Sequence, residues 1–381
     1  MRKEGNRARI SVELVKADDG FQLWSETYDR EVKDIFAVQD EIARAVVNAL
    51  QAKLLSGDAA ISEVPRTTNP EAYQAYLQGQ YFIARGLDKE DLTKALSCAD
   101  QAVKLDPNYA PAWAQRARVL EAMARVLVID EVDGFRRARA SAERAIALDP
   151  KLAAGYLALA LVQINQDWDW RGASASLEKA RLLAPGSVNV LRIQGYLDRN
   201  VGRVEEAIAL YRQAIALDPL NSDFHAILAD QFYGLGRYEE AKAELTKAQE
   251  VNSQHSSVHL IRSEIFLMEG HPQEAVAEIE KETSDWQKLS GEALAYFAAG
   301  RRQESDNALK TLIATHQNDC AYQIAEVYAY RGEVDKAFPW LHRAYKQRDG
   351  GIREVTNDPL MKSLLHDPRY AQLLGRMGRP A

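Results

Sequence analysis

The chain has 381 residues, of which 46% are hydrophobic, and its 48 basic and 55 acidic side chains give a net charge of −7. Surfaces that bind nucleic acid are normally basic and clustered, so this balance argues against such a partner. The longest run of Val, Leu and Ile alone, Val126–Ile129, is far shorter than the ~20 residues that cross a bilayer. The charged amino terminus lacks the apolar core of a signal peptide. The sequence therefore predicts a cytoplasmic protein without membrane spans.

The first 55 residues predict two strands and a helix. Residues 7–16 and 21–28 alternate apolar and polar side chains, as half-buried strands do, and a turn containing glycine would join them into a hairpin. Residues 35–54 carry apolar side chains at helical spacing. Because two strands and one helix are too few to bury a core, the apolar stripe of this helix predicts a homodimer formed through the N-terminal segment.

Three short runs in this segment resemble a known bacterial domain. They are Arg-Lys-x-Gly-Asn from Arg2, Leu-Trp-x-Glu-x-Tyr-Asp-Arg ending at Arg30, and Phe-x-Val-Gln-Asp-Glu-Ile from Phe36. They are similar to the closing part of the TolB-like domain, which precedes tetratricopeptide arrays in certain bacterial adenylate cyclases and winged-helix activators. The resemblance implies a partial TolB-like α/β domain. It carries over neither cyclase nor DNA-binding activity, and it leaves open whether Met1 is the natural start.

A pattern of about 34 residues recurs through the middle of the chain. Its clearest copy is VNVLRIQGYLDRNVGRVEEAIALYRQAIALDP, residues 188–219, in which Gly195, Ala207 and Ala214 allow two helices to approach closely. Pro219 ends the second helix because its ring cannot continue the hydrogen-bond ladder. The unit resembles the tetratricopeptide repeat, a helix–turn–helix that stacks into a solenoid. The resemblance implies an all-α fold, a right-handed superhelix with a small ββα appendage.

These patterns divide the chain into four parts. A partial TolB-like ββα segment covers residues 1–55, and a polar linker with two prolines covers residues 56–70. About eight tetratricopeptide units cover residues 71–348, the sixth and seventh being degenerate. Residues 349–381 carry one or two short helices with apolar stripes, which predict a helical cap over the end of the solenoid.

No motif for catalysis stands out, since Walker A, GxSxG, HExxH and CxxC patterns are all missing from the sequence. Cys98 and Cys320 are far apart and read as packed, reduced thiols. His255 and His259 are four residues apart and could clamp a metal, but no third ligand lies nearby in the sequence. The sequence predicts a protein that is not an enzyme, with no cofactor and no metal.

The first helices of successive repeats should form a concave surface. Aligning the repeats on Ala207 as position 20 places positions 2, 5, 9, 12 and 13 on that surface. The residues predicted to bind a partner there are Asn189, Arg192, Tyr196, Arg199, Asn200, Asp230, Tyr233 and Glu264. Tyr and Arg often anchor partners, so this set predicts a groove for an extended peptide or a helix. Solvated residues without a binding role fit the same pattern equally well.

Trp168 and Trp170 lie in the inter-helix turn of the third repeat, each beside an aspartate. They predict either an aromatic patch for a ligand or, with more weight, packing between repeats. The most direct functional prediction is a protein-interaction scaffold, resembling the regulatory part of bacterial signalling proteins. One alternative is an accessory fragment of an adenylate cyclase or a transcription activator. Another is a solenoid that binds a glycan or a small ligand.

Overall fold

The computed structural model describes residues 2–4, 7–15, 22–31, 41, 42, 45, 67–86, 88–253 and 255–378. The chain divides into two compact units, Met1–Val64 and Pro65–Ala381.

In the first unit, an antiparallel sheet has the order β1 (Arg2–Glu4), β2 (Arg7–Val15) and β3 (Gln22–Glu31). The predicted hairpin is therefore confirmed, and β1 extends it by a strand too short to give a sequence pattern. On the exposed face, the Ser11 and Thr27 hydroxyls lie 3.0 Å apart across the β2–β3 pair. The predicted helix at residues 35–54 lies outside the described residues, apart from 41, 42 and 45, which are helical.

In the second unit, sixteen helices form eight consecutive antiparallel pairs, followed by one further α-helix, within the part of the chain that the structure describes. The pairs are α1 (Pro70–Arg85) and α2 (Lys89–Leu105), α3 (Ala110–Arg125) and α4 (Glu131–Leu148), α5 (Ala153–Val162) and α6 (Trp170–Leu183), α7 (Val188–Asn200) and α8 (Val204–Leu217), α9 (Ser222–Gly234) and α10 (Tyr238–Val251), α11 (Val258–Met268) and α12 (Pro272–Ile279), α13 (Asp285–Ala298) and α14 (Arg302–His316), and α15 (Ala321–Tyr330) and α16 (Val334–Lys346). The last α-helix is α17 (Pro368–Arg376). This is the predicted all-α superhelix.

Local chemistry sets the helix boundaries. Asn69 caps α1, since its side chain accepts hydrogen bonds from the backbone amides of residues 71 and 72. Thr67 is buried and donates a hydrogen bond to Asp106 Oδ2 at 2.5 Å. The last residues of the predicted linker therefore dock on the first repeat, while residues 56–66 lie outside the described residues. Between α7 and α8, Gly202 has φ 84°, a conformation that favours glycine.

The third repeat departs from the regular pattern. Between α5 and α6, residues Gln163–Asp167 form a π-helix, which accommodates the additional residue in this turn. Trp168 follows it in the left-handed region with φ 55°. Its ring is only 8% exposed and packs at 5.3 Å, centroid to centroid, against Tyr345 of α16. The third repeat therefore contacts the eighth directly.

The residues after α16 lie along the concave surface. We call residues 349–364 the C-terminal segment; it contains two 3-10 helices, Gly350–Glu354 and Pro359–Leu364. Asp349 accepts a hydrogen bond from the backbone amide of Tyr322 at 3.0 Å, and Asp358 accepts one from the Tyr322 hydroxyl at 2.7 Å. The predicted cap therefore does more than cover the last repeat, because these contacts attach it to the concave face of α15.

Candidate functional site: the concave surface

A hydrogen-bond network connects the second, third and fourth repeats on the concave surface. Asn165 Nδ2 donates to Glu121 Oε1 at 2.7 Å, and Asn165 Oδ1 accepts from the Tyr196 hydroxyl at 2.7 Å. Arg125 Nε lies 3.2 Å from the same Glu121 oxygen. Because Glu121 and Asn165 are buried and satisfy each other, the network holds the scaffold together and orients Tyr196.

Two arginines near this network form no ion pair in the described part of the chain. Arg118 of α3 and Arg192 of α7 form neither an ion pair nor a side-chain hydrogen bond in the described ranges. Burial lowers the pKa of both guanidinium groups. Arg192 lowers that of Arg118 further, and Arg125 lowers that of Arg192. Positive charge is thus concentrated on a part-exposed surface, where a carboxylate or another planar anion would be bound well.

Arg199 connects the repeats to the C-terminal segment. Its Nη1 lies 3.0 Å from Asp230 Oδ2, and its Nη2 lies 2.5 Å from Glu354 Oε1. Its guanidinium carbon lies 5.4 Å from the centroid of the Tyr196 ring, and that of Arg353 approaches the same ring at 5.8 Å. Arg199 therefore fixes the C-terminal segment beside Tyr196.

Beyond Arg199 the concave surface becomes acidic. Five carboxylates line a cavity of about 80 Å³ that also contains the side chain of Tyr233. We call this cavity the acidic pocket; its carboxylates are Asp230 of α9, Glu264 of α11, Glu326 of α15, and Glu354 and Asp358 of the C-terminal segment. The concave surface therefore has a basic part near α3 and α7 and an acidic part between α9 and α15.

Burial and mutual repulsion raise the pKa values of four carboxyl groups in the acidic pocket, those of Asp230, Glu264, Glu326 and Asp358. The pKa of Asp230 rises to about 7, because burial and Glu354 outweigh the opposing effect of Arg199. Burial and Asp358 raise the pKa of both Glu264 and Glu326 well above the usual range. Burial also raises the pKa of Asp358, against its hydrogen bonds from Tyr322 and Glu326.

The structure separates the predicted groove residues into three groups. Arg192 is one of the two arginines without an ion pair, Tyr196 lies one turn after it on α7, and Asn189 is exposed at the start of the same helix. Arg199, Asp230, Tyr233 and Glu264 lie against the chain's own C-terminal segment or line the acidic pocket. Asn200 is 2% exposed and donates its side-chain amide to the carbonyl of Tyr196. Asn200 is therefore not available to a partner, because it completes the end of its own helix.

Sequence reasoning missed Arg118, Glu326 and the acidic residues of the C-terminal segment. Arg118 and Glu326 occupy position 9 of their repeats when these are aligned on Ala117 and Ala325, so the same alignment would have found both. Nothing in the sequence placed Glu354 and Asp358 against α9 and α11, because that contact joins distant parts of the chain.

The two tryptophans do not form an exposed patch. Trp168 is buried, and the guanidinium carbon of Arg348 lies 3.7 Å from its ring centroid. Trp170 is half-buried and packs on the apolar clusters of both the third and the eighth repeat. This arrangement agrees with packing between repeats and leaves no exposed aromatic surface at Trp168 for a glycan.

The histidines that were considered for a metal site are paired with acids. His255 Nε2 lies 3.1 Å from Asp223, and His259 Nδ1 lies 2.7 Å from Glu278. In the described part of the chain, only His316, Asp319 and Cys320 bring three potential ligand atoms within 4.8 Å of one another. Burial raises the pKa of the Cys320 thiol, which disfavours the thiolate that a metal requires.

Within the described residues, no helix is both long enough and apolar enough to cross a membrane. Models of the tetratricopeptide repeat match residues 169–222 and 201–265. The chain therefore contains tetratricopeptide repeats, which form a scaffold for protein interactions.

A curated relative is the Rhizobium meliloti (strain 1021) protein named "Putative adenylate cyclase 3". It is 32% identical over 166 residues, which are 42% of this chain and 27% of the relative. The chain thus matches only about a quarter of that protein's length.

Among solved structures, a monomeric mutant of IFIT1 with Gppp-AAAA has a TM-score of 0.51 and 15% identity. The match covers 83% of this chain and 80% of that one. This similarity shows a shared fold. A tetratricopeptide protein of Thermus thermophilus is 19% identical over 51% of this chain and 99% of its own, with a TM-score of 0.43.

Proposed function

We propose that this chain is a non-catalytic interaction module that binds an acidic peptide or helix on the basic part of its concave surface. The observation that carries the proposal is the pair Arg118 and Arg192, which form no ion pair among the described residues, although the charge of Glu121 acts on both. Guanidinium groups in a partly dry site gain most from a bidentate carboxylate. Tyr196 lies one turn after Arg192 on α7, is held by Asn165, and supplies an aromatic surface for the same partner.

The test is the binding of a labelled Glu-rich peptide, followed by fluorescence anisotropy at low salt. We expect Arg118→Ala and Arg192→Ala each to weaken binding about tenfold, since each removes a charged hydrogen-bond donor. Arg144→Ala is the matched control, because Arg144 is exposed on the second helix of its repeat. A Lys-rich peptide of equal length should not compete. Equal affinity in all three variants would contradict the proposal.

The wider role belongs to the proposal as well. The similarity to part of a protein named as an adenylate cyclase favours an accessory, regulatory function in bacterial signalling. The genomic reading frame around this sequence tests that role. An in-frame cyclase or DNA-binding domain upstream would support it, and an unrelated neighbouring frame would contradict it.

Other features of the proposal rest on composition. The net charge of −7 supports a protein partner rather than nucleic acid. Cys98 and Cys320 are both unpaired, which suits a cytoplasmic location. A homodimer formed through the N-terminal helix stays a prediction, since most of that helix lies outside the described residues.

A further inference from the structure

The acidic pocket holds more carboxyl groups than cationic partners. Its five carboxylates face one guanidinium, that of Arg199, which pairs with Asp230 and Glu354. Among the described residues, Glu264, Glu326 and Asp358 have no cationic partner. These three groups come from two helices and the C-terminal segment, so the fold itself brings them together.

A second, independent feature is the hydroxyl of Tyr233. This side chain is 5% exposed, lines the acidic pocket and lies within the electrostatic influence of Glu264, Glu326 and Asp358. Its oxygen is buried and has no hydrogen-bond partner among the described residues. A buried hydroxyl without a partner costs stability unless something satisfies it. The tyrosine therefore indicates that the pocket receives a group that can hydrogen-bond.

The spacing of the carboxylates disfavours a single metal ion. A calcium ion takes oxygen ligands at 2.3–2.6 Å, so three of its ligands lie within about 5 Å of one another. In the described part of the chain, no three groups of the acidic pocket meet a limit of 4.8 Å. An extended cation with several N–H donors spans wider separations than a metal ion does.

We propose that the acidic pocket binds a guanidinium group. The volume of about 80 Å³ is several times the smallest cavity that holds one water molecule, so the pocket has room for a planar head group of four heavy atoms. Such a group presents five N–H donors in one plane, enough for Glu264, Glu326, Asp358 and the oxygen of Tyr233. The pocket and the basic part of the concave surface use different residues, so this site is independent of the proposed peptide site.

Binding should depend on pH. The groups that face the pocket are Arg199 of α7, Asp230 and Tyr233 of α9, Tyr238 of α10, Glu264 of α11, Tyr322 and Glu326 of α15, and Glu354 and Asp358 of the C-terminal segment. The carboxyl groups with raised pKa values must lose protons to receive a cation. Affinity for guanidinium should therefore rise as the pH rises, with protons released on binding.

The experiment is calorimetric titration of the full chain with methylguanidinium, in two buffers of different ionisation enthalpy. We expect one site with proton release. Tyr233→Phe should weaken binding about tenfold, and Glu264→Gln combined with Glu326→Gln should abolish it. Glu206→Gln is the control, since Glu206 is an exposed carboxylate of α8. Thermal melting establishes that each variant folds.

A second titrant, a Gly-Arg-Gly peptide, distinguishes two possible sources of the guanidinium group. If a Gly-Arg-Gly peptide binds more tightly than methylguanidinium, the pocket takes an arginine side chain of a partner; if it binds more weakly, the pocket takes a free small guanidine. Either result supports the proposal. The proposal would be overturned if neither titrant binds, or if binding is unchanged in the variant that combines Glu264→Gln with Glu326→Gln. It would also be overturned if the pocket binds Ca²⁺ and neither guanidinium compound. The acidic peptide should bind the double variant as it binds the wild type, so the two proposals can fail separately.

Discussion

Gly234 and Gly375 are both helical glycines, but their surroundings differ. A Cβ atom added at Gly234 would lie 2.7 Å from the backbone oxygen of Asn357 in the C-terminal segment. At Gly375 the same atom would meet nothing within 4 Å. Alanine is favoured over glycine in a helix interior by about 1 kcal/mol. One substitution should therefore have opposite effects at the two positions.

Gly234→Ala should lower the free energy of unfolding, because the Asn357 backbone must move away from α9 to make room. Gly375→Ala should raise that free energy by about 0.5–1 kcal/mol. Urea denaturation followed by circular dichroism measures both. Equal stabilisation at both positions would show that the C-terminal segment does not press on α9 in solution.

Asn200 and Arg118 show where reasoning from single positions succeeds and fails. At position 9, the side chains of Tyr196 and Asp230 reach a neighbouring repeat, as residues of a shared surface should. At position 13, near the end of the helix, Asn200 turns back to its own backbone. The alignment gives the direction in which a Cα–Cβ bond points, but it does not show with which polar group the side chain forms a hydrogen bond.

The acidic pocket joins elements that are remote in sequence, and this has a consequence for stability. Four of its carboxyl groups, those of Asp230, Glu264, Glu326 and Asp358, bind protons more tightly in the folded chain than in the unfolded chain, because their pKa values are raised. Stability should therefore fall as the pH rises from the unfolded pKa, near 4, through the folded value, which is about 7 for Asp230. This is opposite to the effect of carboxylates held in ion pairs, such as Glu240 beside Arg237.

Glu264→Gln isolates this effect. The variant cannot ionise at this position, so its melting temperature should exceed that of the wild type by an amount that grows from pH 4.5 upwards. Calorimetric melts at intervals of half a pH unit measure the difference. Glu206→Gln should show a difference that does not vary with pH. A constant difference for both variants would indicate that Glu264 titrates normally.

Helices and turns could be predicted because their causes are local. Asn69 caps its helix with its own side chain, and Gly202 occupies a left-handed turn that favours glycine. The position of the C-terminal segment could not be predicted in the same way. The end of α16 at Lys346 lies close to the predicted end of the array at residue 348, but the contacts of Asp358 with Tyr322 and Glu326 depend on the curvature of the whole array.

At the scale of the molecule, the contact between the third and eighth repeats sets this array apart from a simple solenoid. In an ordinary array each repeat touches only its neighbours. Here Trp168 packs against Tyr345 and Arg348 and joins the apolar cluster around Phe338 and Met377. The stability of the third repeat should therefore depend on the last one.

Trp168→Ala tests this dependence. Replacing a buried tryptophan with alanine lowers the free energy of unfolding by about 3–5 kcal/mol. Both the third and the eighth repeat should be destabilised, because the contact joins them. Hydrogen exchange measured by mass spectrometry should show faster exchange in both α6 and α16. Trp113→Ala is the comparison, because its indole donates a hydrogen bond to Pro107 of the adjoining turn, and its effect should stay near α3. Faster exchange in α6 alone would contradict the contact.

The contact at Trp168 also bears on how a partner is recognised. Open solenoids adapt to a ligand by changing their superhelical pitch, and this adjustment costs conformational entropy. A contact between repeats about 180 residues apart in sequence restricts that change before any partner arrives. The width of the concave surface is thus fixed before binding. A partner that fits it binds without the entropic cost of changing the superhelical pitch.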